Sequence, residues 1–313
     1  MKILVTGAAG FIASHVADTY INAGHEVIIA DNLSGGTLEN VHPKAKFYLM
    51  DVRSPLLKEV FEVEKPDVVN HHAAQMSVTL SLRDPSFDAD VNVLGFINLL
   101  ENCIKFKVKK VIFISSGGAI YGEASEYPTT EKYSPRPLSP YAVTKCVSES
   151  YLYYYHKQFG LNYTTLRYAN VYGPRQDAHG EAGVVSIFIN KLLNRETPTI
   201  YAYPDQPDGM VRDYIYVKDV VQANLLALDH AENDFLNIGT QEEVSTSRLY
   251  QTITKAMKTD VLPHKAGPRP GDIRRSCLNC EKAKRILGWA PKYNLEQGVF
   301  ETYQYFSAKH KKK

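Results

Sequence analysis

Lys2-Ile3-Leu4-Val5-Thr6-Gly7-Ala8-Ala9-Gly10-Phe11-Ile12-Ala13 decides how this chain is read. A short apolar run ends at a glycine, a second glycine follows three residues later, and an apolar-periodic segment opens at once. This strand, glycine turn and helix is the context that a dinucleotide-binding turn requires. Glycine lets the backbone turn tightly and approach a pyrophosphate. The first helical turn, from Phe11 and Ile12, offers unpaired N–H groups and the positive end of the helix dipole. The spacing is GxxGxxA, with Ala13 where a third glycine would allow the closest strand–helix packing. A tight turn that binds nothing is the alternative for these residues taken alone.

Working outward, residues 26–30, 47–50, 67–70, 111–115 and 163–168 read as further strands. Helical patterns intervene at 11–23, about 85–106 and 139–159. Strands alternating with helices predict an α/β fold, a Rossmann-type doubly wound parallel sheet. The second strand ends at Asp31, 21 residues after Gly10. A carboxylate there accepts hydrogen bonds from an adenosine ribose and repels a 2′-phosphate, which favours NAD over NADP. Asp31-Asn32 as a mere turn starter is the alternative. After Asn170 proline and glycine become frequent and the elements shorten. The expected division is a dinucleotide-binding domain over 1–170 and a smaller substrate-binding lobe over 171–313, with an interleaved boundary.

The second chemical signal is Tyr141-Ala142-Val143-Thr144-Lys145. Tyr141 and Lys145 are i and i+4, so they share a helix face. A free tyrosine titrates near ~10, too high for a base at neutral pH. An ammonium and a nicotinamide cation would lower it by stabilising the phenolate. Ser115 and Ser116 end the preceding strand, and a hydroxyl there can polarise a reacting oxygen. Ser116, 25 residues before Tyr141, is the candidate. Together the motifs imply hydride chemistry on a hydroxyl or carbonyl with a nicotinamide cofactor.

Composition narrows the alternatives. The 313 residues are 44% hydrophobic and 22% charged, a globular balance. Net charge is +2, from 36 basic and 34 acidic residues; four of the lysines lie in the tail 309–313, leaving 32 against 34. The tail reads as a solvated terminus, and no nucleic-acid partner is expected. The run Ile3-Leu4-Val5 is too short for a signal peptide, and nothing approaches the ~20 apolar residues of a membrane span. A cytoplasmic location is expected. Cys103 and Cys146 are scattered; Cys277 and Cys280 form a CxxC without further ligands at metal spacing, so no metal site is expected. His71-His72 is assigned to packing at a strand end.

Further stretches occur in order: Asp51-Val52, Ala73-Ala74-Gln75, residues 166–170 (LRYAN), Gly173-Pro174-Arg175-Gln176-Asp177, Val211-Arg212-Asp213-Tyr214 and Arg269-Pro270-Gly271-Asp272. With Gly7, Gly10, Asp31, Ser116, Tyr141 and Lys145 they make the chain resemble the extended short-chain dehydrogenase/reductases, and within them the UDP-glucose (UDP-galactose) 4-epimerases. The resemblance runs from Met1 to about Phe306. It implies that Tyr141 exchanges the proton of a sugar 4-hydroxyl while bound NAD takes and returns the C4 hydride through a transient 4-keto sugar. Lys145 would bind the nicotinamide ribose, and Ser116 the 4-oxygen. Asn32, Asp51, Val52, Ala73, Ala74, Gln75 and Tyr168 would join the cofactor site. Asn170, Arg212, Arg269 and Asp272 would hold the UDP part of a UDP-hexose, arginine being a permanently charged match to a diphosphate. Ser276 would stand beside the sugar 2-substituent, where a small residue admits UDP-N-acetylhexosamines. Gly117-Gly118 occupies the stretch where dehydratases and decarboxylases carry acidic residues. The resemblance also implies a homodimer through the long helices. An epimerase of another UDP-sugar, such as UDP-glucuronate, and a non-catalytic NAD-binding protein are the alternatives.

Overall fold

The computed structural model describes residues 1–177, 183–269 and 272–311. Pro270-Gly271 and the last two lysines of the tail lie outside the described residues. Seven strands form one sheet: β1 (Lys2–Thr6), β2 (Glu26–Asp31), β3 (Lys46–Leu49), β4 (Val68–His71), β5 (Lys110–Ser116), β6 (Asn162–Tyr168) and β7 (Asp234–Ile238). The order is β7-β6-β5-β4-β1-β2-β3 and every pairing is parallel. The doubly wound expectation is therefore met. Chain progression reverses beside β1, and the carboxyl ends of β1 and β4 flank the crevice where such sheets bind nucleotides.

Both faces of the sheet are covered, which is why its strands read as continuous apolar runs. On one face Leu4, Ile28, Val69, Val111 and Phe113 pack under α2 (Leu57–Glu64), α3 (Gly95–Lys105) and α4 (Pro140–Phe159). On the other, Ile3, Val5, Ile29, Ile112 and Leu166 meet α1 (Phe11–Asn22) and α6 (Val217–Ala227). Burying each such side chain contributes about 1.5–3 kcal/mol. Helix α1 is closed by Gly24 at φ +85°, and α4 by Gly160 at φ +72°, the left-handed conformation that glycine adopts without strain. Ser139 caps α4 by accepting from the Ala142 N–H, and Pro140 opens its first turn.

The second half contributes α5 (Val184–Leu193), α7 (Thr246–Met257) and α8 (Leu295–His310), with three two-stranded pieces. Asn170–Tyr172 pairs in parallel with Tyr214–Tyr216, Val211–Arg212 antiparallel with Val244–Ser245, and Thr199–Tyr201 in parallel with His264–Ala266. Two departures from the sequence reading stand out. The sheet has a seventh strand, β7, supplied from beyond residue 170; its five residues between turns carry little local signal. The helix expected over 85–106 is broken: Pro85–Ala89 passes into a π-helical turn, Asp90–Leu94, before α3. That extra residue in the turn aims Asn92 inward, where it is buried.

Candidate active site

The glycine turn is built for close approach. Gly7 has φ +74°, and a Cβ there would lie 2.7 Å from the Ala73 nitrogen. The Gly10 N–H donates to the Gly7 carbonyl at 3.1 Å, and no side chain caps α1. The first-turn amides of Phe11 and Ile12 therefore face the crevice without a capping group, as an anion site requires. Asp31, buried at the end of β2, receives the Ala9 N–H at 2.9 Å and the Leu33 N–H at 2.7 Å. Its carboxylate is thereby fixed at the rim of the turn.

Beside it, Asn32 donates to Asp51 at 2.9 Å. Asp51 takes the Arg53 guanidinium on both oxygens, at 3.0 Å from Nε and 2.7 Å from NH2. These hydrogen bonds hold the Asp51 carboxyl well below the usual carboxylate range. Arg53 reaches on to Asp90 in the π turn at 2.7 Å. Val52 is buried against Gly95, whose added Cβ would meet Val52 at 3.0 Å. Ala73 is pinned by its N–H to the Thr6 hydroxyl at 3.2 Å. Gln75 turns its amide away to Asp88 at 2.7 Å and Ser77 at 2.9 Å, while Asn92 grips its backbone N–H and C=O, each at 2.9 Å.

The Tyr141–Lys145 pair lies where β5 and α4 converge. The Ser116 hydroxyl at the end of β5 is one of the groups that act on the Tyr141 phenol. Ser115, in contrast, points into the core, where its hydroxyl has no partner. Lys145 is buried; its ammonium donates to the Ile114 carbonyl at 2.9 Å and lies 5.8 Å from the Tyr141 ring centre. Burial pushes the phenol up to about 12, with Ser116 pulling the other way and Asp88 adding to the rise. Burial also brings the Lys145 ammonium down to about 8, against the carboxylates of Asp88 and Glu149. The polypeptide alone thus raises Tyr141, the reverse of the lowering expected from a neighbouring ammonium. Desolvation sets the direction, and the second cation in that expectation was the nicotinamide.

His71 and His72 are both held neutral, burial pushing His71 well below its usual value and His72 to about 3. His71 bonds the Thr6 hydroxyl at 2.8 Å and stacks on Phe96, in keeping with a packing role. Tyr168 ends β6 with its hydroxyl 2.5 Å from the Asn224 amide, which also receives the Asn70 amide at 2.9 Å.

The residues expected to hold a diphosphate sugar come from several segments of the second half of the chain and from Asn170. Asn170 is exposed, with its side-chain oxygen facing Gly118. Arg212 donates to its own neighbour's carbonyl, Val211, at 2.9 Å, and burial lowers its pKa. A desolvated guanidinium of this kind gains strongly from an anion. Ser276 is buried and bonds through its N–H to the Val211 carbonyl at 3.0 Å, which sets it against Arg212. Arg269 and Asp272 pair with each other at 3.3 Å on the exposed rim, with the Arg269 guanidinium over the Tyr201 ring.

Residues 3–239 match the NAD dependent epimerase/dehydratase family. The chain belongs to that family. The residues present fit its cofactor: a glycine turn with no room for a Cβ, a bare helix start, a fixed Asp31 and a buried lysine beside a tyrosine. Members of known structure are similar over nearly the whole chain. A UDP-glucose 4-epimerase of Thermotoga maritima, solved with UDP-glucose, is 46% identical with a TM-score of 0.96, covering 99% of each chain. One from Thermus thermophilus, solved with NAD, is 43% identical with a TM-score of 0.93, covering 98% of this chain and 99% of that one. A UDP-N-acetylglucosamine 4-epimerase of Methanobrevibacter ruminantium, in complex with UDP-N-acetylmuramic acid, is 34% identical with a TM-score of 0.92 and 98% coverage of both.

Several residues of this epimerase/dehydratase site escaped the sequence reading. Asp88, Asn92 and Thr144 form a buried network behind Gln75 and Tyr141, with the Thr144 hydroxyl donating to Asp88 at 2.8 Å. Thr144 lay inside the quoted Tyr141–Lys145 stretch, but nothing local marks Asp88 as its partner 56 residues away. Asn224, which orients Tyr168, sits in a helix whose sequence reads as ordinary.

Proposed function

We propose that the protein is a UDP-glucose 4-epimerase, interconverting UDP-glucose and UDP-galactose with tightly held NAD. The reading is supported by Ser116 at the carboxyl end of β5, in the sheet that carries the glycine turn, by Tyr141 and Lys145 on α4, whose Lys145 bonds the Ile114 carbonyl of β5, and by Arg212 and Ser276, both bonded to the Val211 carbonyl. Gly117-Gly118 follows the serine and brings no acid or base to the reacting centre. Oxidation and return reduction at one carbon need none beyond Tyr141.

Gly7, Gly10, Phe11, Ile12 and Asp31 would hold the pyrophosphate and adenosine end of NAD, Ala73 and Ala74 its flank, and Lys145 and Tyr168 the nicotinamide end. NAD supplies a hydride acceptor that can return the hydride to either face. Tyr141 removes the proton from the sugar 4-oxygen and later gives it back. Ser116 donates to that oxygen and holds it against the phenol. Lys145, fixed by Ile114, supplies positive charge that favours phenolate once the site closes on its ligands. Arg212 and Asn170 anchor the nucleotide diphosphate. This leaves the sugar free to turn over while remaining bound.

Ser276 extends the reading to UDP-N-acetylhexosamines, since its side chain is small where the 2-substituent would lie. Replacing Ser276 with Tyr is expected to depress turnover of UDP-GlcNAc relative to UDP-glucose; an unchanged ratio would overturn this point. A homodimer is supported by an exposed apolar stripe on α4, in which Val143, Val147 and Tyr154 remain 44%, 37% and 49% exposed. Monomer mass by light scattering at micromolar concentration would refute it. A cytoplasmic setting fits the four cysteines, all unpaired thiols.

The test of the main reading mixes purified protein with UDP-galactose and no added NAD. Formation of UDP-glucose is expected, falling about 10²–10⁴-fold in Tyr141→Phe. No conversion with cofactor occupancy confirmed would transfer the reading to another UDP-sugar, tested first with UDP-glucuronate.

A further inference from the structure

Asp213 is 1% exposed and lies at the elbow between the two short strands Val211–Arg212 and Tyr214–Tyr216. Oδ1 accepts from the Thr240 N–H at 2.8 Å and the Thr240 hydroxyl at 2.7 Å. Oδ2 accepts from the Gln241 N–H at 3.2 Å and the Leu278 N–H at 3.3 Å. Its main-chain carbonyl accepts the Asn170 N–H at 2.9 Å. No lysine, arginine or histidine pairs with it among the described residues. The carboxylate is held by backbone amides and one hydroxyl.

The residues joined in this way are those that border the sugar nucleotide. Asn170 hangs directly on Asp213. Arg212 is its chain neighbour. Ser276 is tied from one side through its N–H to Val211, and from the other through Leu278 to the Asp213 carboxylate. The strap is locked further where Thr129 donates to the Cys277 carbonyl at 2.8 Å and receives the Asn279 N–H at 2.9 Å. The turn that accepts the carboxylate is shaped to it: a Cβ on Gly239 would lie 2.4 Å from Oδ2. Leu278 in turn fills the space beside Gly117, where an added Cβ would meet it at 2.5 Å, next to Ser116.

We propose that Asp213 is a positioning residue for substrate: its main-chain carbonyl holds Asn170 and its buried carboxylate ties the strand carrying Arg212 to the turn at Thr240 and to the segment carrying Ser276, without touching the sugar nucleotide. The inference rests on the reading of those three as UDP-sugar contacts. An acceptor with both oxygens engaged fixes three segments that are distant in sequence, and charge-assisted bonds of this kind are stronger than neutral ones. With Asp213→Asn one of the two positions becomes a donor. It then faces either the Thr240 pair or the Gln241 and Leu278 amides, and that segment is released.

The experiment measures steady-state kinetics and NAD content of the holoenzyme for wild type, Asp213→Asn, Thr240→Val and Arg212→Ala. For Asp213→Asn the expected result is a KM for UDP-galactose raised about tenfold, with kcat within about twofold and NAD content unchanged. Thr240→Val, which removes one hydroxyl, raises KM about threefold. A merely structural residue would lower the active fraction, reducing kcat and NAD content at unchanged KM, and that outcome overturns the proposal. Unchanged KM in Asp213→Asn with raised KM in Arg212→Ala also overturns it while leaving the substrate reading intact. Unchanged KM in Arg212→Ala removes the substrate reading itself. Should Asp213→Asn be insoluble, Thr240→Val decides by the same criterion.

Discussion

Lys145→Met separates what this lysine does for chemistry from what it does to stability. Burial lowers the ammonium from a lysine's usual 10.5 to about 8. At 1.36 kcal/mol per pH unit, that fall makes the folded state bear a penalty of about 3 kcal/mol at neutral pH. The sign follows from proton binding. Between pH 8 and 10.5 the unfolded chain still holds the proton and the folded chain has lost it, so wild-type stability rises with pH across that window. Below pH 8 the penalty is fully present. Lys145→Met has no such group, and its stability lacks this rise. Its stability relative to wild type is therefore expected to be about 3 kcal/mol more favourable at pH 7 than at pH 10.5. For 313 residues, with unfolding entropy of about 2.1 cal/mol/K per residue, this corresponds to a change of about 5 °C in the Tm difference. The assay is urea unfolding of nucleotide-free protein at both pH values, followed by fluorescence of Trp289, the single tryptophan, which is buried. Every other titrating group is common to the two proteins. A stability difference that stays constant from pH 7 to 10.5, or moves the opposite way, would refute the argument that burial holds this ammonium against its preference.

Three further outcomes follow from the same geometry. Gly7→Ala places a Cβ 2.7 Å from a backbone nitrogen at φ +74°; it is expected to cost about 1–3 kcal/mol and strip bound nucleotide, read by urea unfolding and by absorbance at 260 nm. Glu149→Gln leaves Arg167, whose side chain is 4% exposed, without its carboxylate, a loss of about 3–5 kcal/mol in the same unfolding assay. Arg53→Ala frees Asp51 from its guanidinium, so the Asp51 carboxyl returns toward the ordinary range and resident NAD is retained less well, measured by dialysis of the holoenzyme; unchanged retention would separate Asp51 from the cofactor.

The sequence announced those features whose causes are local. Gly7, Gly10 and the apolar run before them specify a strand, turn and helix from adjacent residues. Ser139-Pro140 and Gly160 mark the ends of α4 by capping chemistry. Ser116 is chosen over Ser115 by its distance to Tyr141, and strand alternation puts the two serines on opposite faces of β5, with Ser115 toward the core. What was hidden depends on distant partners. β7 is five residues whose pairing with β6 no local pattern records. Asp213 sits in a stretch singled out for its arginine, yet its partners are 27, 28 and 65 residues away. The raised pKa of Tyr141 was missed because helix spacing shows the neighbouring ammonium and says nothing of desolvation. The π turn was missed because Asp90–Leu94 keeps an ordinary helical composition.

The seventh strand has a consequence for synthesis. Until α6 has left the ribosome, Tyr20 and Asn70 lack the Asn224 contacts that close them off from water, and until Ile238 follows it, β6 presents an open edge. Some 70 residues separate the ends of β6 and β7, so a nascent chain elongating at 5–20 residues per second would carry that unguarded edge for about 4–14 s. An exposed parallel edge recruits other chains. A fragment stopped near residue 170 would thus be an aggregating intermediate rather than an autonomous nucleotide-binding module, and folding to completion belongs to the late part of translation.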